Sequence, residues 1–164
     1  MTGPATGSTP EQRLAALDLE LPAVTPPVAA YVPALRTGRY VYTAGQLPLV
    51  DGKLLMTGKV GAAVSADEAA ALARVCALNA LAAAASVAGG LSGITRIVKV
   101  TGFVASAPDF TGQAQVINGA SELLLQVFGD AGRHARSAVG MAVLPLDAPV
   151  EVELIAEVGE TAGG

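Results

Sequence analysis

The chain has 164 residues, 52% hydrophobic and 15% charged, with 10 Lys and Arg against 14 Asp and Glu and so a net charge of −4. That length suits one domain burying a single core without metals or disulfides, and the acidic balance opposes a polyanionic partner such as nucleic acid, because neutralising phosphates takes clustered Lys and Arg. The lone cysteine, Cys76, excludes an internal disulfide, and with one histidine in the chain there is no thiol or histidine cluster to hold a metal, so a reducing, cytoplasmic setting is the expectation.

Residues 1–8 are small, polar and Gly/Pro-containing, which predicts a disordered start and lacks the basic patch and apolar stretch of a signal peptide. Residues 9–158 then read as one domain, followed by a flexible tail over 159–164. Thr9-Pro10-Glu11 opens a short helix, with Thr9 as cap and Pro10 at the first helical position, carried through Leu14 and Leu17. Pro22, Pro26 and Pro27 turn the chain into an extended connector. Two β-type runs follow, Tyr31 to Leu35 and Tyr40 to Thr43, joined through Arg36-Thr37-Gly38, with Gly45-Gln46-Leu47-Pro48 at the second strand's end. Asp51-Gly52 marks a further turn into Lys53-Leu54-Leu55. Ser65-Ala66-Asp67-Glu68 is a capping box that opens a long helix to Ala88, stopped by Gly89-Gly90. The apolar run from Ala69 to Gly90 contains Arg74 and Asn79 and is rich in weakly hydrophobic alanine, so it reads as a buried helix and not a membrane span.

Ile94 to Ala105 is a β-branched run predicting a long central strand, with Val98, Val100, Gly102 and Val104 on one face and Lys99, Thr101 and Phe103 on the other. Asp109 is the expected cap of a second helix through Val116, Leu123, Leu124 and Val127, ending at Gly129. Ala135 to Val143 and Val150 to Val158 are the last two strands, joined by the turn-forming Leu144-Pro145-Leu146-Asp147-Ala148-Pro149. Two separated helices can cover one face of the resulting sheet, which is an α+β layer pair. The mean hydropathy of +0.52 exceeds what a monomer needs for its interior, so subunits packed sheet to sheet are expected to take the surplus.

Glu151 and Glu153 alternate with Val150, Val152 and Leu154, which puts both carboxylates on one strand face, roughly 7 Å apart. They are either a solvated outer face or a candidate general base. Arg136 stands among small residues in Ala135-Arg136-Ser137-Ala138-Val139, and its planar guanidinium suits a carboxylate through two parallel hydrogen bonds. Its alternatives are a surface arginine or an ion pair to Glu151. Gly45 is first a backbone-geometry residue and second an exposed amide for an anion. His134 has no nucleophile placed beside it by pattern and reads as a loop or interface residue, while Cys76, mid-helix among apolar neighbours, reads as a small buried hydrophobe. No phosphate loop, dinucleotide fingerprint or nucleophile elbow is present in the sequence.

Ala135-Arg136-Ser137-Ala138-Val139, Leu144-Pro145 and Val150-Glu151-Val152-Glu153-Leu154-Ile155-Ala156 together resemble the C-terminal signature of the YjgF/RidA family of reactive-intermediate deaminases. Tyr42-Thr43-Ala44-Gly45-Gln46-Leu47-Pro48 resembles the family's small-Gly-Gln-aliphatic-Pro motif, Tyr31 falls at the family's spacing before that glycine, and Asn118 matches its helix asparagine. The resemblance spans Leu21 to Glu157. It implies a chorismate-mutase-like mixed sheet with two main helices on one face, assembled as a trimer around a central barrel with clefts between subunits.

The same resemblance implies that Arg136 grips a substrate carboxylate and Glu151 positions and activates water, with Tyr31, Gly45, Asn118 and Ala138 shaping the pocket. The implied reaction is hydrolysis of a 2-imino acid or a 2-aminoacrylate-type enamine to a 2-keto acid and ammonia, without cofactor. The alternatives are a non-catalytic carboxylate-binding module and a ribonuclease. Ala44 stands where the better-studied branch often has Ser, and Ala138 where it has Cys, which removes two polar groups from the expected cleft. With the longer loop from Leu47 to Gly61, these departures place the chain in a longer-chain branch.

Overall fold

A computed structural model describes residues 7–24, 26 and 29–160. The expectations for residues 1–6, for Thr25, Pro27 and Val28 of the connector, and for 161–164 lie outside the described residues. The elements are α1 (Pro10–Ala16), β1 (Ala34–Thr37), β2 (Tyr40–Thr43), β3 (Leu49–Val50), β4 (Lys53–Leu54), α2 (Ala66–Ala88), β5 (Ile94–Ala105), α3 (Gln113–Phe128), β6 (Ala135–Met141) and β7 (Val150–Val158).

Five strands form one mixed sheet in the order β1-β2-β7-β5-β6, with β6 parallel to β5 and the other pairs antiparallel, while β3 and β4 make a separate small hairpin. Both long helices pack on one face, as the composition of the strands requires. On β7, Val150, Val152, Leu154, Ala156 and Val158 are buried beneath them, and Glu151, Glu153, Ile155 and Glu157 point the other way. The fold is therefore the α+β, chorismate-mutase-like layer pair.

The capping box at Ser65 and Glu68 forms on both sides, and Gly89 takes the left-handed conformation that stops α2. By length and composition α2 is apolar enough to span a bilayer, but Leu72, Cys76, Ala80, Leu81 and Ala84 are buried in the protein's own core. Its alanines let α3 approach closely. Gly119 of α3 lies against the Ala70 carbonyl, and Gly102 of β5 lies beneath Ile117, so a Cβ at either position would collide with what it faces. Thr9 caps α1 in a capping box with Gln12, and Arg13 donates to the Val127 carbonyl, tying α1 to the end of α3.

Five local readings are corrected. Arg36 and Thr37 belong to β1, and the turn is Gly38-Arg39, because Gly38 at φ 57 supplies the positive angle that a two-residue hairpin needs at its first central position. Tyr31 lies ahead of the strand. On β5 the register shifts between Ile97 and Lys99, so Ile97 takes the core position and Val98 is only half-buried. Asp109 does not cap α3: the helix begins after Gly112 without a side-chain cap, and its entry is tied instead by Gln113 donating to the Phe110 carbonyl and the Ser106 hydroxyl. β6 ends at Met141, after which Leu146 and Asp147 adopt φ of 60° and 59° in the loop to β7.

Gly119→Ala forces a methyl into a backbone carbonyl that cannot move without separating the two helices. It is expected to destabilise the protein by about 1–3 kcal/mol, read from denaturant unfolding against a Gly159→Ala control, where the added Cβ would meet only Thr95 Cγ2 at 3.8 Å.

Candidate functional site

Arg136 pairs with Val100 across the β5–β6 ladder, so its side chain rises on the helix side of the sheet, at an edge strand that no further strand covers among the described residues. There its Nη1 donates to Asn118 Oδ1 at 2.8 Å and to Ser121 Oγ at 3.2 Å. Asn118 and Ser121 are one turn apart on α3, which places both on the strip facing β6. These two bonds use both hydrogens of Nη1, leaving the edge formed by Nε and Nη2 with no hydrogen bond or ion pair among the described residues. Ala138 lies two residues on, on the same face, half-buried against the core.

Behind Ser121 stands His134. Its Nε2 is 2.9 Å from Ser121 Oγ and its Nδ1 is 2.7 Å from the Gly132 carbonyl. Burial and then the Arg136 charge hold the imidazole below its ordinary pKa, with the Gly132 hydrogen bond acting the other way.

Glu151 sits on the opposite face, paired with Phe103, and is half-buried. The reason is a local break in the ladder. β2 pairs with β7 through Tyr42, Thr43 Oγ1 then accepts from the Leu154 amide at 3.0 Å, and pairing resumes at Gln46 with Val152. Ala44 and Gly45 are carried over Glu151 between those two ties, and a Cβ on Gly45 would collide with the Glu151 carboxylate. Asn79 of α2 donates to the carbonyls of both Leu47 and Leu49 at 3.0 Å, which fixes the strand exit beyond Gly45. Burial, with the charge of Glu153 second, pushes the Glu151 carboxyl above its ordinary range.

Two groups of predicted residues are thus brought together: Arg136 with Asn118 and Ala138, and Glu151 with Gly45. The two groups are not brought together within one chain. Arg136 shares the face of Val100, Glu151 shares that of Phe103, and the sheet lies between them. The ion pair between Arg136 and Glu151 weighed from sequence does not form. Tyr31 lies in a bend before β1, with its ring exposed and no hydrogen bond to either group among the described residues. Cys76 is fully buried below β7, where its thiol donates to the Val150 carbonyl at 3.7 Å, and desolvation, then the Glu151 charge, pushes its pKa well up.

Ser121 and Asn79 escaped the sequence reading, and His134 was placed without its partner. Each acts through a residue on another element, and neither a helical Ser nor a helical Asn carries a spacing signal for that. The open face also holds a shallow depression of about 110 Å³ between Tyr42, Lys99, Thr101 and Glu153.

Over residues 11–158 the chain matches the family described as "YjgF/chorismate mutase-like, putative endoribonuclease", and it belongs to that family. Protein TCP17 of Trypanosoma cruzi is 44% identical over 142 residues, covering 86% of this chain and 89% of that protein. Among solved structures, the protein Atu1372 of Agrobacterium tumefaciens, of unknown function, is 47% identical with a TM-score of 0.83 and 92% of each chain covered. A Shewanella oneidensis MR-1 protein carrying the same endoribonuclease description is 38% identical with a TM-score of 0.88, covering 92% of this chain and all of that one. More distant, Escherichia coli TdcF with bound serine is 28% identical with a TM-score of 0.55, covering 82% of this chain and 92% of TdcF.

The raised Glu151 pKa has a sign that can be checked. The folded state holds the proton more tightly than the unfolded chain, so ionisation of Glu151 costs stability as pH rises from the ordinary value of 4.5 through the raised one, and costs nothing below it. Glu151→Gln is therefore expected to raise Tm at pH 7 and to lose that gain by pH 4, measured by thermal melts across pH.

Proposed function

We propose that this protein is a deaminase of 2-imino acids and their enamines, needing no cofactor, in which Arg136 of one subunit and Glu151 of another line a cleft of a homotrimer. The observation that carries the reading is the state of Arg136. One guanidinium nitrogen is spent on Asn118 and Ser121, and the remaining fork of Nε and Nη2 is held at an uncovered sheet edge, the geometry for bidentate capture of a carboxylate. The opposite placement of Glu151 supports assembly. In one chain the sheet separates the two groups, so a shared pocket takes them from two chains. The open face supports that packing, because Tyr40, Tyr42, Leu35, Val139 and Met141 are all exposed on it.

In the proposed reaction the carboxylate of the enamine docks on Arg136, and proton transfer to its methylene carbon gives the imine. Glu151, held above the ordinary carboxylate range, takes a proton from water as the oxygen adds to the imine carbon. The carbinolamine then collapses, the C–N electron pair leaves on nitrogen, and proton return releases ammonia and the 2-keto acid. The imine is already electrophilic, so positioning and proton transfer suffice. The serine bound to E. coli TdcF, a small amino acid with the same carboxylate, supports this ligand class. The endoribonuclease description of the Shewanella relative favours RNA as a second substrate, against which stands the net charge of −4.

The test generates 2-aminoacrylate in a coupled assay, traps the imine with semicarbazide and follows acceleration of its loss. Arg136→Ala is expected to lower kcat/KM at least about 100-fold with the trimer intact by light scattering, and Glu151→Gln to lower kcat by roughly 100-fold or more. The acid limb of the wild-type rate profile should lie above the ordinary carboxylate range and move down in Glu153→Gln, since the Glu153 charge is one cause of the shift. No acceleration with any imino acid, alongside retained carboxylate binding, makes the protein a binder; cleavage of a labelled RNA makes it a ribonuclease.

A further inference from the structure

The hydrogens around Arg136 can be counted, and the count is closed. A carbonyl can only accept, so the 2.7 Å contact between His134 Nδ1 and the Gly132 carbonyl puts a hydrogen on Nδ1. The neutral ring then has a bare Nε2, and the Ser121 hydroxyl 2.9 Å away must donate to it. A serine has one hydrogen. With it committed to His134, Ser121 Oγ meets Arg136 only as an acceptor, which is what the Nη1 donor at 3.2 Å requires. The second Nη1 hydrogen goes to Asn118 Oδ1 at 2.8 Å, which as a carbonyl oxygen also only accepts.

From this chain of donors and acceptors we infer that Ser121 and His134 are positioning residues for the carboxylate site, forming a relay from Gly132 through His134 and Ser121 that fixes the guanidinium plane of Arg136. The inference deepens the functional reading above and rests on it for its ligand. The relay spans three pieces of chain, the turn at 129–132, the start of β6 and the middle of α3, and it sets which edge of the fork remains for ligand. Without it, Nη1 is held by Asn118 alone, and Asn118 is exposed, so the fork is free to rotate about that single bond. With it, Nη1 is closed to ligand and the Nε–Nη2 edge is offered. Rotational freedom lost in advance is affinity gained on binding, because the ordering cost is not then charged to the ligand.

The burial of His134 works in the same direction, since desolvation favours the neutral ring that the relay uses. Ser121 touches Arg136 from behind, on the nitrogen that the ligand does not use, and His134 acts through Ser121. Their removal is therefore expected to weaken capture and to spare the chemical step.

The test has a part without ligand and a part with it. His134 is the only histidine, so its ring nitrogens are assigned without ambiguity in a uniformly 15N-labelled sample of the full chain. At pH 7.5 the relay requires a protonated Nδ1 and a bare Nε2, and Ser121→Ala is expected to shift the Nε2 resonance and to speed rotation of the Arg136 guanidinium. In the second part, Ser121→Ala and His134→Ala are expected to weaken pyruvate binding and to raise KM for 2-iminopropanoate by roughly tenfold, with kcat within about twofold. Ser121→Thr, which restores the hydroxyl, and His134→Gln, which restores an acceptor, are expected to recover most of the loss. An Nε2-protonated ring, an Arg136 signal indifferent to Ser121→Ala, or pyruvate affinity unchanged in both alanine variants overturns the relay. If the ring and the guanidinium behave as required while wild-type protein binds no pyruvate, the deaminase reading falls and the relay stands.

Discussion

A sheet covered by helices on one face must dispose of the other, and in this protein that requirement governs where chemistry can sit. Strict alternation along β7 sends Val150, Val152, Leu154, Ala156 and Val158 inward and Glu151, Glu153, Ile155 and Glu157 outward. Moving the register by one residue would bury the carboxylates and expose the valines, so the placement of Glu151 is set by the core as firmly as any interior residue. The ladder then fixes Arg136 on the other side, because β6 follows β5 residue for residue from Lys99 with Ala135 to Ala105 with Met141.

Each polar group is held by a device suited to its face. On the helix side, α3 supplies Asn118 and Ser121 to Arg136, and the turn ahead of β6 brings His134 behind them. On the open side no helix among the described residues lends hydrogen bonds, and Glu151 is set by the backbone of Gly45, which the Thr43 and Gln46 ties lift over it. Positioning by side chains and positioning by backbone have different tolerances. The first loses one contact at a time, whereas the second fails with any side chain at residue 45.

Much of this is legible in the sequence. The Ser65–Glu68 capping box, the span of β5 and the alternation of β7 are local signals, each contained within one element, and each formed as read. The one-sided helix cover followed from their order. What was missed depends on pairs of elements. Thr37 and Gly38 are both turn-tolerant, and only pairing of Thr37 with Tyr40 decides which is strand. The bulge at Ile97–Lys99 comes from matching β5 to β7. That Arg136 and Glu151 face opposite ways is likewise a matter of register across β5, invisible in either strand alone. The Ser121–His134 contact joins α3 to the start of β6, and no spacing rule links a mid-helix serine to a loop histidine.

Cys76 illustrates how such burial reaches beyond stability. Its thiol is sealed under β7 and kept protonated, so thiol-directed reagents meet no free thiol on the native surface among the described residues. A single cysteine introduced at an exposed position such as Gln126 would then be the one thiol to take a maleimide dye, so the protein is open to spectroscopic labelling without first deleting the native thiol.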